Sequence, residues 1–266
     1  NFDVLWIPSA GCLVEVDFHG RLLMSTIGPL VALTLLAITY AVAKRRSSRS
    51  EAALQKIRHK HMSMVLLISF LVYSSVSAIV FQTFACEDLD DRKSYLRADY
   101  RVECDSSRHQ AFQVFAGIMI LVYPVGIPLF YGYLLYKNRV ALKSEDKGKR
   151  DTSPGVQRIS ELWAPYKPER FYYELVECVR RMSLTGVVVF IFPNTAAQVA
   201  VTLIIAFSFA VGSERLAPYA SKWDAGTSLA GHVIVFTSMY TALLNKVDVS
   251  DERSISQEVF ACVLVA

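Results

Sequence analysis

The sequence predicts an all-α fold, a polytopic transmembrane helical bundle with six spans plus the start of a seventh. The chain has 266 residues, of which 53% are hydrophobic, and its mean hydropathy is +0.33. Its apolar residues are grouped into runs of about twenty, the length of helix that crosses roughly 30 Å of hydrocarbon at 1.5 Å per residue. Its basic residues are concentrated in alternate links between those runs, as expected for a membrane protein.

The predicted spans follow the apolar runs in chain order. They lie at about 22–43, 62–84, 111–136, 171–192, 195–212, 224–244 and, for the beginning of the seventh, 258–266. The connecting regions are a pre-membrane segment at 1–21, a basic loop at 44–60, a loop at 85–110 and a longer loop at 137–170. We expect the chain to be part of a larger polypeptide, because it lacks an initiator Met and ends inside an apolar stretch, Val259 to Ala266.

The distribution of basic residues assigns a side of the membrane to each link. If the 44–60 link faces the cytoplasm, eighteen of the 28 Lys and Arg residues fall on that side and eight fall on the other. The remaining two, Arg180 and Arg181, lie within the fourth span. Since cytoplasmic loops are enriched in Lys and Arg, this ratio predicts an extracellular N-terminus, an extracellular 85–110 loop and a cytoplasmic 137–170 loop.

The cysteines agree with this sidedness. Cys12, Cys86 and Cys104 all fall on the outer, oxidising side, where disulfide bonds persist. We expect Cys86 and Cys104 to be bonded, closing a loop of about twenty residues that contributes ~3 kcal/mol on the loop-entropy model. Cys12 would then pair with upstream sequence or remain a thiol.

The fourth span carries an intramembrane charge cluster. Glu174, Glu177, Arg180 and Arg181 precede the uncharged stretch from Met182 to Phe192, which is only about half as long as a bilayer core. Glu177 lies three residues from Arg180 and four from Arg181, so these side chains can neutralise one another on one helix. Charge at membrane depth predicts a functional site. The alternative is an ion pair at the cytoplasmic interface, held by neighbouring aromatic residues.

Two further features are candidate functional elements. In the third span, Pro124 and Pro128 each remove a backbone donor, with Gly126 between them, which predicts a kink or a locally unwound segment that serves as a gating hinge or as a static packing device. The sixth span is unusually polar. Its polar residues would line an aqueous path or hydrogen-bond to neighbouring helices, and they include His232, Thr237, Ser238 and Thr241.

The sequence does not indicate an enzyme. It contains no paired-histidine zinc motif, Gly-x-Ser-x-Gly elbow, phosphate-binding glycine loop or Cys-x-x-Cys pair, so we expect neither catalysis nor a bound metal or cofactor. The acids of the outer loop, from Glu87 to Asp105, could bind Ca²⁺, but interleaved basic residues favour a solvated loop. The net charge of +4 needs no nucleic-acid partner, and the lipid bilayer is the expected one.

Four segments of the chain carry a family resemblance. They are Cys12-Leu13-Val14; Phe81 to Cys86 with Ser94 to Tyr100 and Cys104; Leu121 to Pro128; and Pro165 to Pro168 through Glu174, Glu177, Arg180-Arg181 and Leu184-Thr185-Gly186. Together they resemble a family of protist proteins, from oomycetes, diatoms and related algae, described as transient receptor potential-like. The resemblance implies a membrane-embedded region of a very large protein, with cysteine-rich extracellular repeats upstream of Asn1.

The resemblance leaves two functions open. One is a channel-like module for cation conduction or sensing, alone or with other membrane subunits. The other is a non-conducting anchor that holds a large extracellular or ciliary-surface assembly in the plasma or ciliary membrane. Channels of the transient receptor potential type carry an outer filter loop between their last two helices. Here the corresponding link, Ser213 to Trp223, is short and is cytoplasmic by charge.

Overall fold

The computed structural model describes residues 17–46, 50–89, 93–144, 153–191 and 195–246. The chain divides into two compact units, Asn1–Ala164 and Pro165–Ala266, which are called unit 1 and unit 2. Across the described residues, helices predominate in both units. Their lengths follow the apolar runs of the sequence.

The described residues of unit 1 form three long helical stretches and three short helices. The long stretches are α1 (Phe18–Arg46), α2 (Glu51–Gln82) and a continuous helix made of α3 (Ser107–Ile120), a π-helical turn (Leu121–Val125) and α4 (Gly126–Lys137). The short helices are α5 (Arg139–Leu142), α6 (Pro154–Gln157) and α7 (Ser160–Trp163). The predicted basic loop at 44–60 is largely helical, since α1 continues to Arg46 and α2 begins at Glu51. Lys and Arg are good helix formers, and Ser50 caps α2 through the Ala53 amide.

The outer surface of α1 is apolar. Met24, Ile27, Val31, Leu35 and Ile38 recur at intervals of three and four residues and therefore lie on one side of the helix. All five are exposed, Met24 to 59% and Leu35 to 57%. A stripe of this size would be unfavourable in water and is typical of a helix that faces lipid.

The opposite side of α1 packs into a core shared by the three long stretches of unit 1. Leu22 from α1, Val76 and Val80 from α2, and Ala116 and Tyr123 from the third stretch form one buried cluster. The contact is polar as well as apolar, because the Tyr123 hydroxyl donates to a backbone carbonyl of α1. These contacts hold the three stretches as one bundle.

The predicted outer loop at 85–110 folds into a small β-sheet, so the chain is not purely helical. Strands β1 (Cys86–Asp88), β2 (Ser94–Leu96) and β3 (Asp99–Glu103) form an antiparallel sheet in the order β1-β2-β3. Phe18 packs at the start of α1 against Leu96, Val102 and Cys104 of this region. The sheet is therefore fixed to the start of α1 and does not extend freely into solvent.

Unit 2 consists of a helical hairpin preceded by a more irregular helix. A 3₁₀ turn (Pro168–Arg170) leads into α8 (Tyr173–Met182), a π-helical turn (Ser183–Val187) and α9 (Val188–Phe190). The hairpin is formed by α10 (Ala196–Leu216) and α11 (Lys222–Lys246), which pack along each other with Phe207 near Phe236. The turn between them uses Ala217 in a left-handed conformation, with φ of 41°.

Among the described residues, five helices are long and apolar enough to cross a membrane. They are Phe18–Arg46, Glu51–Gln82, Ser107–Lys137, Ala196–Leu216 and Lys222–Leu244. They correspond to the predicted spans one, two, three, five and six, and an integral membrane protein of helical architecture is confirmed to that extent. The helix at the predicted fourth span does not qualify by composition, because its 18 residues carry four charges. The seventh span, 258–266, lies outside the described residues.

Candidate functional site

The candidate site of unit 2 is built where the segment entering α8 meets the turn between α10 and α11. Tyr166 and Tyr219 form an isolated antiparallel β-bridge. The Lys167 amide donates to the Pro218 carbonyl at 2.7 Å, and the Ala220 amide donates to the Pro165 carbonyl at 2.9 Å. These backbone bonds fix the start of α8 beside the turn from which α11 begins.

Three tyrosine rings converge at this junction. Tyr166 lies 5.3 Å from Tyr173 and 5.4 Å from Tyr219, and the last two lie 6.0 Å apart, all as ring-centroid distances. Burial raises the pKa of both Tyr166 and Tyr219 well above the ordinary phenol value. The Tyr166 phenol remains protonated at neutral pH and acts as a hydrogen-bond donor.

The first buried carboxylate of α8 accepts a hydrogen bond from the Tyr166 phenol. The Tyr166 hydroxyl donates to Glu174 Oε2 at 2.8 Å. The other oxygen, Oε1, is buried without a hydrogen-bond partner among the residues that the structure describes, although Glu174 is only 5% exposed. An unsatisfied buried acceptor is costly, and it is the feature of this cluster that sequence reasoning did not foresee.

The second buried carboxylate, one turn further along, is neutralised. Arg180 donates to Glu177 Oε2 through Nε at 2.9 Å and through Nη2 at 2.7 Å. Glu177 is 5% exposed, so this is a largely buried, charge-assisted pair at a spacing of three residues. The sequence predicted either Arg180 or Arg181 as the partner of Glu177, and in the structure Arg180 is hydrogen-bonded to it. Arg181 is half-buried, and its charge acts on Glu174.

The predicted polar path on the sixth span is divided between two sides of α11. His232 and Thr241 are both buried, but nine residues at 100° each place them about 180° apart around the helix. Thr237 and Thr241 donate to the carbonyls one turn back, and Ser238 is exposed. These hydroxyl donors are therefore used within the helix. The path stays a hypothesis.

His232 is the member of that set with unused hydrogen-bonding capacity. Its Nδ1 donates to the Ser228 carbonyl at 2.8 Å, which leaves Nε2 as an acceptor. That Nε2 is buried, and within the described part of the chain it has no partner. The Ser228 side chain also acts on the Tyr219 phenol, so α11 is in contact with the tyrosine cluster.

The predicted hinge in unit 1 is a π-helical turn in an otherwise continuous helix. Pro124 lies within the turn Leu121–Val125, Gly126 follows it, and Pro128 is in the first turn of α4. A Cβ added at Gly126 would lie 2.8 Å from the Leu121 carbonyl oxygen. The wide turn accommodates the missing proline donors, and glycine is required at its end because the backbone passes so close.

The predicted disulfide between Cys86 and Cys104 is confirmed, with the two Cα atoms 6.4 Å apart. His109 lies close to both sulfur atoms and forms with them the three-residue group of potential metal ligands found among the described residues. Since the two sulfurs are bonded to each other, neither offers a thiolate to a metal. Cys12 lies outside the described residues.

The acids of the outer region are mostly engaged with neighbouring side chains. Asp99 pairs with Arg101 at 2.9 Å, and Glu103 pairs with Lys93 at 3.3 Å. Glu87 accepts from the Tyr100 hydroxyl at 2.9 Å, and Asp90 and Asp91 fall outside the described residues. The proposed Ca²⁺ site at this loop gains no support from these contacts.

Sequence reasoning missed a buried histidine pair where the start of α1 meets α3. His19 Nε2 lies 3.2 Å from His109 Nδ1, and His109 Nε2 lies 3.1 Å from the Thr83 carbonyl oxygen. The His19 ring stacks on Phe112. The two histidines are 90 residues apart, so no local pattern in the sequence indicates their contact.

Comparison of the chain with protein-family models, curated protein sequences and solved structures found no match.

Proposed function

We propose that this chain is the membrane-embedded module of a cell-surface protein and that unit 2 supports channel-like cation conduction or cation sensing. The single observation that carries the proposal is the Glu174 carboxylate, which is buried with one oxygen unpartnered among the described residues. A buried acid in a membrane protein is costly and is by default a functional group. A carboxylate oxygen without a donor is also a natural ligand for a cation.

The contacts of α10 favour a sixth crossing through the charged helix of unit 2. At one end, Tyr173 hydrogen-bonds Ser213. At the other end, the Gln198 side-chain amide donates to the Val188 carbonyl at 2.8 Å. The two contacts lie fifteen residues from each other on each helix, about 22 Å at 1.5 Å per residue. The two helices therefore run antiparallel over the same depth. If α10 crosses the membrane, the charged helix crosses with it.

This crossing puts the tyrosine cluster at the cytoplasmic end of unit 2. The segment at 165–167 belongs to the 137–170 loop, which is cytoplasmic by charge, and it is hydrogen-bonded to 218–220. Glu174 and Glu177 then lie within the first two turns of the crossing. Protein shields both side chains from lipid. Their place in the first two turns favours a position near the inner membrane surface over the midplane.

The two carboxylates have different roles in this proposal. Glu177 is neutralised by Arg180 and acts as a structural charge. Among the described residues, Glu174 receives one phenol hydrogen bond and has one oxygen without a donor, which we propose as the cation ligand. Because the link between α10 and α11 is a short turn, the proposed path runs beside the helices of unit 2 and not through a filter loop.

The experiment is a current measurement on the full-length protein in cells or in a planar bilayer. We expect wild-type protein to conduct cations and Glu174→Gln, which removes the charge but keeps the shape, to alter the relative permeability of mono- and divalent cations several-fold. Glu169→Gln is the matched control, because Glu169 lies five residues away and is exposed. Equal permeability ratios in wild type and Glu174→Gln would contradict a role for this carboxylate.

The outer sheet favours a second function, a non-conducting anchor. The sheet is closed by Cys86–Cys104 and packed on Phe18, so force on the outer region would pass directly into α1. In that case well-expressed and correctly inserted protein gives no current. The same recording therefore separates the two functions.

A further inference from the structure

We propose that unit 1 binds an anionic phospholipid in a cavity between α1, α2 and α4. The cavity has a volume of about 610 Å³, within the range of sites that hold small molecules. Its wall is apolar and is contributed by three helices, through Leu33 and Leu36 of α1, Val65 of α2 and Phe130 of α4. Such a wall matches acyl chains.

One end of the cavity is basic. Arg58 from α2 and Arg158 from the link between α6 and α7 both line it, and both are half-buried. Within the described ranges, neither arginine has an ion-pair or hydrogen-bond partner from the protein. Two guanidinium groups that line one apolar cavity repel each other, and a shared anion would relieve that repulsion.

His61 and Tyr40 complete the basic end. His61 Nδ1 donates to the Ile57 carbonyl at 2.9 Å, and its ring meets Tyr40 edge-on at 5.4 Å. His61 Nε2 lies 3.4 Å from the Thr39 hydroxyl. The imidazole, which also lines the cavity, is thus held in place by contacts with α1 and α2.

The cavity is polarised along the membrane normal. On α1, Leu33 and Leu36 lie farther from the helix end at Arg46 than Tyr40 does, and on α2, Val65 lies farther from the helix start than Arg58. Tyr40 is six residues from the end of α1 and Arg58 seven from the start of α2, roughly 10 Å in each case. The charge therefore lies at headgroup depth and the apolar wall beneath it.

This arrangement fits an anionic phospholipid better than a soluble anion. Guanidinium groups bind phosphate oxygens through paired hydrogen bonds, and basic pockets between transmembrane helices bind anionic lipid headgroups. A soluble phosphate would leave the apolar wall unused. A neutral lipid would leave the two arginines without a counter-charge.

The test uses full-length protein reconstituted into vesicles of phosphatidylcholine and phosphatidic acid, then re-solubilised, with the co-purified lipid quantified by mass spectrometry. We expect phosphatidic acid to be enriched on the wild-type protein over its share in the vesicle. The double variant Arg58→Gln, Arg158→Gln should lose that enrichment by at least about tenfold, since each charge-assisted contact contributes a factor of this order on its own.

The matched control is Lys56→Gln, Lys60→Gln, which removes the same charge from exposed positions of α2 that do not line the cavity. It should keep wild-type enrichment. Equal loss in both double variants would overturn the proposal in favour of general surface attraction, and so would an absence of enrichment on wild type. Displacement of phosphatidic acid by millimolar inorganic phosphate would overturn it in favour of a phosphate site.

Discussion

At the level of single residues, the two buried glutamates of α8 differ in the hydrogen bonds that their carboxylates accept. Glu177 accepts two hydrogen bonds from Arg180, whereas Glu174 accepts one from Tyr166. The first belongs to a satisfied ion pair. Removal of Arg180 alone would leave the buried Glu177 charge unpaired, a change that costs about 3–5 kcal/mol in known cases. The second keeps unused capacity, and for that reason it carries the functional proposal.

Gly126 supports a prediction at the same scale. Gly126→Ala should destabilise the protein by about 1–3 kcal/mol, because the new methyl group would meet the Leu121 carbonyl oxygen at 2.8 Å. Gly117→Ala, in the preceding helix, has no neighbour within 4 Å and should be neutral or stabilising by about 0.5–1 kcal/mol. Thermal unfolding of both variants in detergent measures the difference. A Gly126→Ala midpoint equal to that of Gly117→Ala would rule out the close approach.

At the level of elements, the sequence predicts what depends on local composition. The apolar runs predicted the five long helices of the described residues with bounds within four residues, except that α2 begins at Glu51, eleven residues before the predicted start. The two cysteines at the ends of the 85–110 loop predicted the disulfide. The strands were missed because β1 and β2 have only three residues each, too few to show an alternating apolar pattern. The bridge from Tyr166 to Tyr219 was missed because it joins positions 53 residues apart.

The candidate site was predicted only in part, because some of its features depend on local sequence and others on contacts between distant residues. The four charges of α8 are visible in the sequence, and their helical spacing indicates that pairing is available. Which arginine bonds Glu177, and which carboxylate oxygen is left over, depends on Tyr166 and on side-chain rotamers. Those are tertiary facts that spacing alone does not contain.

The start of α1 gives a prediction for pH. The Asp17 carboxylate accepts a hydrogen bond from the Gly20 amide at 2.8 Å and forms an ion pair with Arg108. The Gly20 hydrogen bond and, to a smaller extent, the positive charge of Arg108 hold the pKa of the Asp17 carboxyl below its usual value. Its stabilising effect is therefore complete above the ordinary aspartate pKa and is lost as the pH falls through the lowered value.

Asp17 variants separate the cap from the charge. Asp17→Ala should lower the stability at neutral pH by about 1 kcal/mol, whereas Asp17→Asn should keep most of the cap and lose part of the acid sensitivity. Unfolding midpoints measured from neutral to acidic pH test both statements. An Asp17→Asn profile that falls with pH as steeply as wild type would contradict the assignment.

At the level of the whole molecule, the bilayer explains why the apolar residues face outward. Large exposed side chains follow the long helices of both units, including Leu35 of α1, Leu129 of α4 and Ile204 of α10. Polar contacts are instead gathered inside each unit, as in the Ser69–Tyr131 bond and the tyrosine cluster. A protein with this distribution is stable only where lipid replaces water around it.

The position assigned to Glu174 requires that the charged helix of unit 2 crosses the membrane together with α10. The most direct test is the side from which single cysteines react with a membrane-impermeant maleimide in intact cells, at the exposed positions Gln110→Cys, Lys143→Cys and Lys222→Cys. We predict that Gln110→Cys reacts from outside, and that Lys143→Cys and Lys222→Cys react only after the membrane is permeabilised. Reaction of Lys222→Cys from outside, with Lys143→Cys protected, would contradict the sixth crossing and the position assigned to Glu174.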